Sequence, residues 1–432
     1  IFVETLLIML LGATDVMMLS RYSDDTVASV GVVNQLLSLI FILYGISTLG
    51  TSVLCSQYLG AHQKKNVMQT IGVSLLINLL VGLVVSAGLY VFAPQLLGLM
   101  GLSPQLIDCG KVYMQIVGGF SFLQAIAMTL SATLRSHNQA FYPMYVTLLM
   151  NVLNVAGNYL LIFGKFGFPA LGAPGAAVST SVCRLIAMCL LGYLLFRKVV
   201  PDFSFKYLRP FPWDKVKNLM VVGLPSAGEQ VSYNLSQVVI TYFSVLIGTA
   251  ALTARTYAMN IVMFSYVFSI ALGNGAAICI GHLIGAEKDN AAYSVEKYSI
   301  WLSVIITVVI SVFTALIGTN IFQLLSPNPE VVKIGAAVLY VDIVLEIGRA
   351  VNITSVDSLI AAGDVFYPFI TGIIVMWGVA TLCAYLLGVW WGWGLTGIWL
   401  AMALDENIRA VIFERRWKSR KWQTKAFARR GL

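Results

Sequence analysis

Residues 66–93 read NVMQTIGVSLLINLLVGLVVSAGLYVFA, 28 consecutive positions without a charged side chain. At about 1.5 Å per residue, a helix of that length crosses the roughly 30 Å hydrocarbon core of a bilayer. The stretch lacks the alternation of apolar and polar positions, over about 10 residues, that marks a strand of a membrane barrel. Similar stretches fill the chain: of 432 residues, 59% are hydrophobic and 11% charged. A soluble domain carries about 25% charged residues, and so few charges cannot cover a water-exposed surface. The composition excludes a soluble enzyme, a disordered chain and a small disulfide scaffold. It leaves an all-α polytopic membrane protein.

Working outward from that stretch, apolar helices are expected at 1–20, 27–55, 66–93, 106–134, 140–164, 173–197, 218–247, 251–283, 292–319, 331–361, 366–389 and 395–414. Gly, Pro, Asn and Ser clusters separate them, as at Ser326-Pro327-Asn328-Pro329. The chain opens on Ile1 inside an apolar stretch, with no charged region or small-residue cleavage site around Ile1–Leu11. That stretch reads as part of a first span that begins further upstream, not as a signal peptide. The polar segment 198–217 (KVVPDFSFKYLRPFPWDKVK) reads as a cytoplasmic linker between an N-lobe, 1–197, and a C-lobe, 218–414, followed by a basic cytoplasmic tail, 415–432.

The two lobes repeat each other at an offset of 225 residues: Phe141-Tyr142-Pro143 matches Phe366-Tyr367-Pro368, Gly60-Ala61 matches Gly285-Ala286, Gly50 matches Gly275, and Gly110 matches Gly335. Anchors sharing one offset indicate duplication. An even number of spans per repeat gives both halves the same orientation, so two parallel six-helix repeats are expected, with a substrate path between them. With both termini in the cytoplasm, 19 of the 27 Lys and Arg residues fall on the inner side and four on the outer side. That bias sets the topology. It also assigns the net charge of +8 to anchoring against anionic lipid rather than to nucleic acid.

Ionisable groups inside spans are costly and mark candidate sites. Asp15 lies about five residues from the end of the first span, near +8 Å of helix rise. Asn151, Asn154 and Asn158 follow at i, i+3 and i+7 on one face of the fifth span, with Asn158 level with Asp15. A carboxylate beside an amide stripe can bind a proton or a small cation; the amides alone can also serve as helix–helix hydrogen bonds. In the C-lobe, Glu229 lies mid-span in the seventh helix. Asp342, Glu346, Arg349 and Asp357 form one stripe on the tenth, either an ion site or a self-neutralising network. Glu229 is expected to contact Arg349 or the acids beside it. Arg255 is expected to snorkel outward, and Asp405, Glu406 and Arg409 to lie at an interface. Arg184 appears too deep to pair with Asp15. The six cysteines show no metal-ligand spacing and read as small buried hydrophobes. No P-loop, HExxH or GxSxG is present, so neither ATP hydrolysis nor metal or serine hydrolysis is read from the chain, and no cofactor is called for beyond a coupling ion.

Twelve spans in two repeats, Asp15 followed by Met17-Met18, QYLGA at 57–61 with its repeat HLIGA at 282–286, NVLNVAGNYLLIFG at 151–164, GAPGAA at 172–177 and Gly223-Leu224-Pro225 resemble the multidrug and toxic compound extrusion (MATE) family over essentially the whole chain. The resemblance implies an antiporter of the cell membrane that exports amphipathic, often cationic compounds by alternating access against inward H+ or Na+, with H+ favoured here. It implies an ion site at Asp15, Asn154 and Asn158. Arg349 stands where some members carry an acidic residue on the tenth helix, which weakens a C-lobe Na+ site. A Met-rich and aromatic substrate cavity is expected at Met18, Gln35, Gln230, Tyr233, Asn234, Tyr257 and Met263. The protein is read as a monomer. A lipid-linked saccharide flippase of the same superfamily, a membrane-embedded enzyme and a channel are the competing readings.

Overall fold

The computed structural model describes residues 1–429. Helices follow from the apolar stretches because only a helix satisfies its own backbone hydrogen bonds in hydrocarbon. Among the described residues every regular element is helical. The first half holds α1 (Phe2–Ser20), α2 (Asp24–Gly60), α3 (Lys64–Val91), α4 (Ala93–Leu99), α5 (Pro104–Gly119), α6 (Ser121–Ser136), α7 (Phe141–Phe163) and α8 (Ala173–Tyr193). The second holds α9 (Trp213–Ile247), α10 (Thr249–Gly285), α11 (Asp289–Leu316), α12 (Gly318–Leu325), α13 (Pro329–Ala361), α14 (Phe366–Val375) and α15 (Gly394–Lys418). α5 and α6 make one span bent by 42°. The bend follows Gly118 and Gly119, the residue pair least able to hold a helix straight. α14 continues to Trp390 through wide π turns.

Counting the bent pair once and leaving aside the short α4 and α12, twelve spans result, six in each half. Hydropathy alone accepts eight of these helices, or nine with the bent pair. It passes over α13 and α15, which carry buried charges, and α9, which carries Glu229, Asn234 and Gln237.

Two compact units divide the chain. One comprises Val3–Cys55 and Gln63–Gly223; the other comprises Ser56–His62 and the chain from Leu224 onward. The division therefore falls inside α9 and inside α2, not across 198–217. The polar segment belongs to the first unit. Gln69 Nε2 donates to the Tyr207 carbonyl at 3.2 Å, the Leu208 side chain fills the space over Gly72, and Gly223 lies against the Ile46 backbone.

Within the first unit Leu19, Val33, Leu37, Leu97, Met114 and Val117 form a buried core. Polar staples cross it: Asn78 Nδ2 donates to Thr129 Oγ1 at 2.6 Å, joining α3 to α6. At the equivalent position of the second unit, Ser303 Oγ donates to Ser269 Oγ at 2.9 Å, joining α11 to α10. Interior helices without water rely on such small and hydroxylated contacts.

In the second unit the last turn of α2 crosses the last turn of α10. A Cβ on Gly60 would strike the His282 carbonyl, and a Cβ on Gly285 would strike the Gln57 carbonyl. Gly60 and Gly285 are 225 positions apart, as are Gln57 and His282, so equivalent turns of the two repeats meet through equivalent atoms. Only glycine permits that approach.

The basic tail is packed rather than loose. Trp417 and Trp422 stack at 4.3 Å and are buried. Gln57 Nε2 donates to the Ala361 carbonyl at 2.6 Å, while its Oε1 accepts from the backbone N–H groups of Phe427 (2.7 Å) and Ala428 (3.2 Å). Arg429 pairs with Asp289 at 2.5 Å. Arg430, counted above among the basic residues, lies outside the described residues. Replacing Gln57 by Ala would strand two buried N–H donors, each worth roughly 1–3 kcal/mol. The Gln57→Ala protein in detergent should melt several degrees lower than the parent; an unchanged melting temperature would show that this docking holds nothing.

Candidate functional site

Asp15 lies on α1, five residues before its end. Asn154 and Asn158 lie one turn apart on α7, and α7 ends cleanly at Gly164, whose left-handed φ of +64° lets its N–H cap the Leu160 carbonyl. Asn158 Nδ2 donates to Asp15 Oδ1 at 2.6 Å and to Asn154 Oδ1 at 3.0 Å. Asn154 Nδ2 donates in turn to Thr180 Oγ1 on α8 at 3.3 Å, and Ser179 Oγ donates to the Asn154 carbonyl at 3.3 Å. The chain Asp15–Asn158–Asn154–Thr180 thus links three helices. Asn154 and Asn158 are fully buried, and Asn158 Oδ1 is a buried acceptor without a hydrogen-bond partner. Asn151 is not brought to Asp15. Its Nδ2 donates to the Leu7 carbonyl at 2.9 Å, two turns back along α1.

Thr180 and Ser179 were not anticipated, although the run Ser179-Thr180-Ser181 is the conspicuous polar interruption of its span. Arg184 lies one turn beyond Thr180 on the same face of α8. Its guanidinium sits 5.5 Å over the Phe41 ring, and Asp15, Tyr113 and Tyr44 lie within its electrostatic reach. Among the described residues Arg184 makes no ion pair with Asp15; the two act on each other at a distance.

The C-lobe charges form a buried network wider than one stripe. Arg349 pairs with Glu346, and its Nε lies 3.7 Å from Glu406 Oε1. Arg409 Nη2 pairs with Asp405 at 2.6 Å and with Glu406 at 3.2 Å. Asn352 Nδ2 donates to Glu406 Oε2 at 2.6 Å, and Trp399 Nε1 donates to Asp342 Oδ1 at 3.0 Å. All of these side chains are buried. Asp405, Glu406 and Arg409 are therefore not exposed; α15 ties them by ion pairs to one another and to Arg349 of α13. Arg255 does not snorkel. It is 4% exposed, with Nη2 donating to Gln237 Oε1 at 2.9 Å and its guanidinium 5.7 Å over Trp399.

Glu229 makes no ion pair with Arg349 among the described residues. Its carboxylate rests against Gly372 of α14, within electrostatic reach of Arg409 and Glu406. Asp357 makes no ion pair among the described residues; its carboxylate lies against Gly273 of α10 and within electrostatic reach of Glu229.

The expected cavity residues have mixed surroundings. Met18 packs on the N-lobe core, Gln35 and Gln230 are exposed, and Asn234 and Met263 are half-buried. Tyr233 faces Arg349 and Glu406. Tyr257 is a core residue: its ring meets that of Phe322 edge-on at 6.5 Å. Among the described residues no group of three His, Cys, Asp or Glu side chains is arranged to hold a metal ion.

The chain is similar along its length to known proteins. The MatE family model matches residues 1–160 and 225–386, once in each half. An uncharacterized transporter of Bacillus subtilis, YisQ, is 40% identical over 428 residues, covering 99% of this chain and 94% of its own length. The probable multidrug resistance protein NorM of Thermotoga maritima is 24% identical over 98% of this chain and 91% of its own. A crystal structure of MATE in the bent conformation superposes with a TM-score of 0.89 at 19% identity, over 97% of this chain and 92% of that one. A mutant of the Vibrio cholerae MATE transporter VcmN gives 0.89 at 17% identity, over 98% and 96%. The chain belongs to the MATE family and is a multi-pass membrane transporter.

Removing one member of a buried ion pair costs roughly 3–5 kcal/mol, because the other is left uncompensated. Glu406→Ala takes one carboxylate from both Arg349 and Arg409, which keep Glu346 and Asp405, and leaves the Asn352 amide without its acceptor; it should lower the melting temperature by several degrees. Glu229→Gln removes no ion pair and should lower it far less. Equal losses would mean that Glu229 is structural after all.

Proposed function

We propose that the chain is a proton-coupled antiporter that exports amphipathic, often cationic organic compounds across the cell membrane, with both termini in the cytoplasm. The observation that carries the reading is the hydrogen bond from Asn158 to the Asp15 carboxylate. The names of the NorM relatives support the substrate class, and the Lys and Arg bias supports the orientation.

The mechanism follows from what a proton does to that bond. As a carboxylate, Asp15 only accepts, and the Asn158 amide serves it. Once protonated, it carries an O–H and no charge. The bond from Asn158 keeps an oxygen to accept it but loses its charge assistance, and the unpaired Asn158 Oδ1 becomes the acceptor at hand for the new donor. Turning the Asn158 amide presents that oxygen, and Asn154 and Thr180 follow through their shared bonds. α1, α7 and α8 then favour a different packing. Proton and substrate need not meet; each has only to favour the opposite conformation, and the coupling is reciprocal.

In proteoliposomes with an imposed pH gradient, Asp15→Asn should still bind a fluorescent cationic substrate but should fail to drive its efflux. Asn158→Ala removes one hydrogen bond to a charged group, worth roughly 1.5–3 kcal/mol, and should slow gradient-driven efflux without abolishing it. Efflux by Asp15→Asn at the parental rate would refute the N-lobe site.

A further inference from the structure

Arg184 is a cation within an N-lobe span that the reading above leaves unused. Arg184 is half-buried, and a guanidinium nitrogen withdrawn from water is costly without a partner. Arg184 nevertheless makes no direct ion pair among the described residues, and its Nη1 is buried without a hydrogen-bond partner. It is held by its stack over Phe41 and by its place on α8. That place is one turn from Thr180, which ends the hydrogen-bonded chain from Asp15.

The groups that face this cluster are few. Tyr44 of α2 shares a hydrogen bond with Ser121 Oγ at 2.8 Å, and the Tyr113 hydroxyl of α5 donates to Asn34 Oδ1 at 3.4 Å. Cys183 adjoins Arg184 on α8 and lies within reach of Asp15. The phenols and the thiol are neutral near pH 7. Asp15 is then the one carboxylate within electrostatic reach of Arg184.

We infer that Arg184 is the fixed counter-charge of Asp15, and that its loss of compensation when Asp15 takes up a proton drives the N-lobe out of this conformation. The inference rests on the proposed role of Asp15. With Asp15 ionised, the two formal charges cancel. With Asp15 protonated, the half-buried cation is left uncompensated, its buried Nη1 still without a hydrogen-bond partner among the described residues. A rearrangement that brings water or another acceptor to that nitrogen relieves it. Arg184 thus acts through Asp15 and is a positioning residue. It supplies the energetic difference between the two packings that the amide chain alone, being neutral, supplies only weakly.

A double-mutant cycle tests this on the full-length protein. Asp15→Asn and Arg184→Gln should each lower the melting temperature by at least ~4 °C, and the Asp15→Asn/Arg184→Gln protein should regain most of that loss, because neither charge is then stranded. Where a single variant cannot be isolated, recovery of the double variant in folded form is the same rescue. Additive losses, or a double variant no easier to isolate than the singles, would overturn the inference. In proteoliposomes Arg184→Lys, which keeps the charge, should retain pH-driven efflux and Arg184→Gln should lose it; equal pumping by both would also overturn it. The Asp15 role fails on a different result, parental pumping by Asp15→Asn, and the two outcomes are read separately.

Discussion

A charged or hydrogen-bonding group in hydrocarbon has no water to turn to, so its partner must come from the protein. The arrangement of this transporter follows from that constraint. It makes every span helical, places hydroxyls and amides in pairs across helix contacts such as Asn78–Thr129, and gathers six charged side chains of α13 and α15 into one closed network. An ion-paired network of this kind holds helices in fixed register, and removing a member uncovers charge on its partners.

The two units meet the constraint differently. In the second, Glu346, Glu406 and Asp405 are answered by Arg349 and Arg409 through direct ion pairs. In the first, Asp15 is answered by one amide hydrogen and by a guanidinium that does not touch it. The N-lobe site leaves an acceptor, Asn158 Oδ1, and a donor, Arg184 Nη1, buried and unused, and the C-lobe network likewise leaves Glu346 Oε2, Asp405 Oδ1 and Arg409 Nε unused. What sets the N-lobe apart is that, among the described residues, Asp15 makes no direct ion pair. Protonating it breaks no salt bridge, and for that reason the N-lobe is the better seat for a switch.

Much of this was legible in the residues. Span positions follow from uninterrupted apolar length, and the duplication follows from anchors such as Phe141-Tyr142-Pro143 and Phe366-Tyr367-Pro368. The pairing of Asp15 with Asn158 was readable because helix rise fixes depth. What a single helix cannot reveal is its rotation and tilt against a neighbour. Arg255 was misread because its acceptors, Gln237 and Thr241, lie on another helix. Asp405, Glu406 and Arg409 looked interfacial because nothing local shows that α13 brings Arg349 to them. The segment 198–217 looked like a linker because it is polar, while its packing on α3 depends on the backbone carbonyl of Tyr207 and the bulk of Leu208.

Proton movement driven by substrate tests the central claim most directly. Proteoliposomes are loaded with a cationic substrate and an internal pH dye, in weak buffer with no imposed pH gradient. Substrate leaving down its own gradient should bring protons in and acidify the lumen in the parent protein, and should leave the lumen unchanged with Asp15→Asn. Acidification of equal size in both, or in neither, would contradict the account.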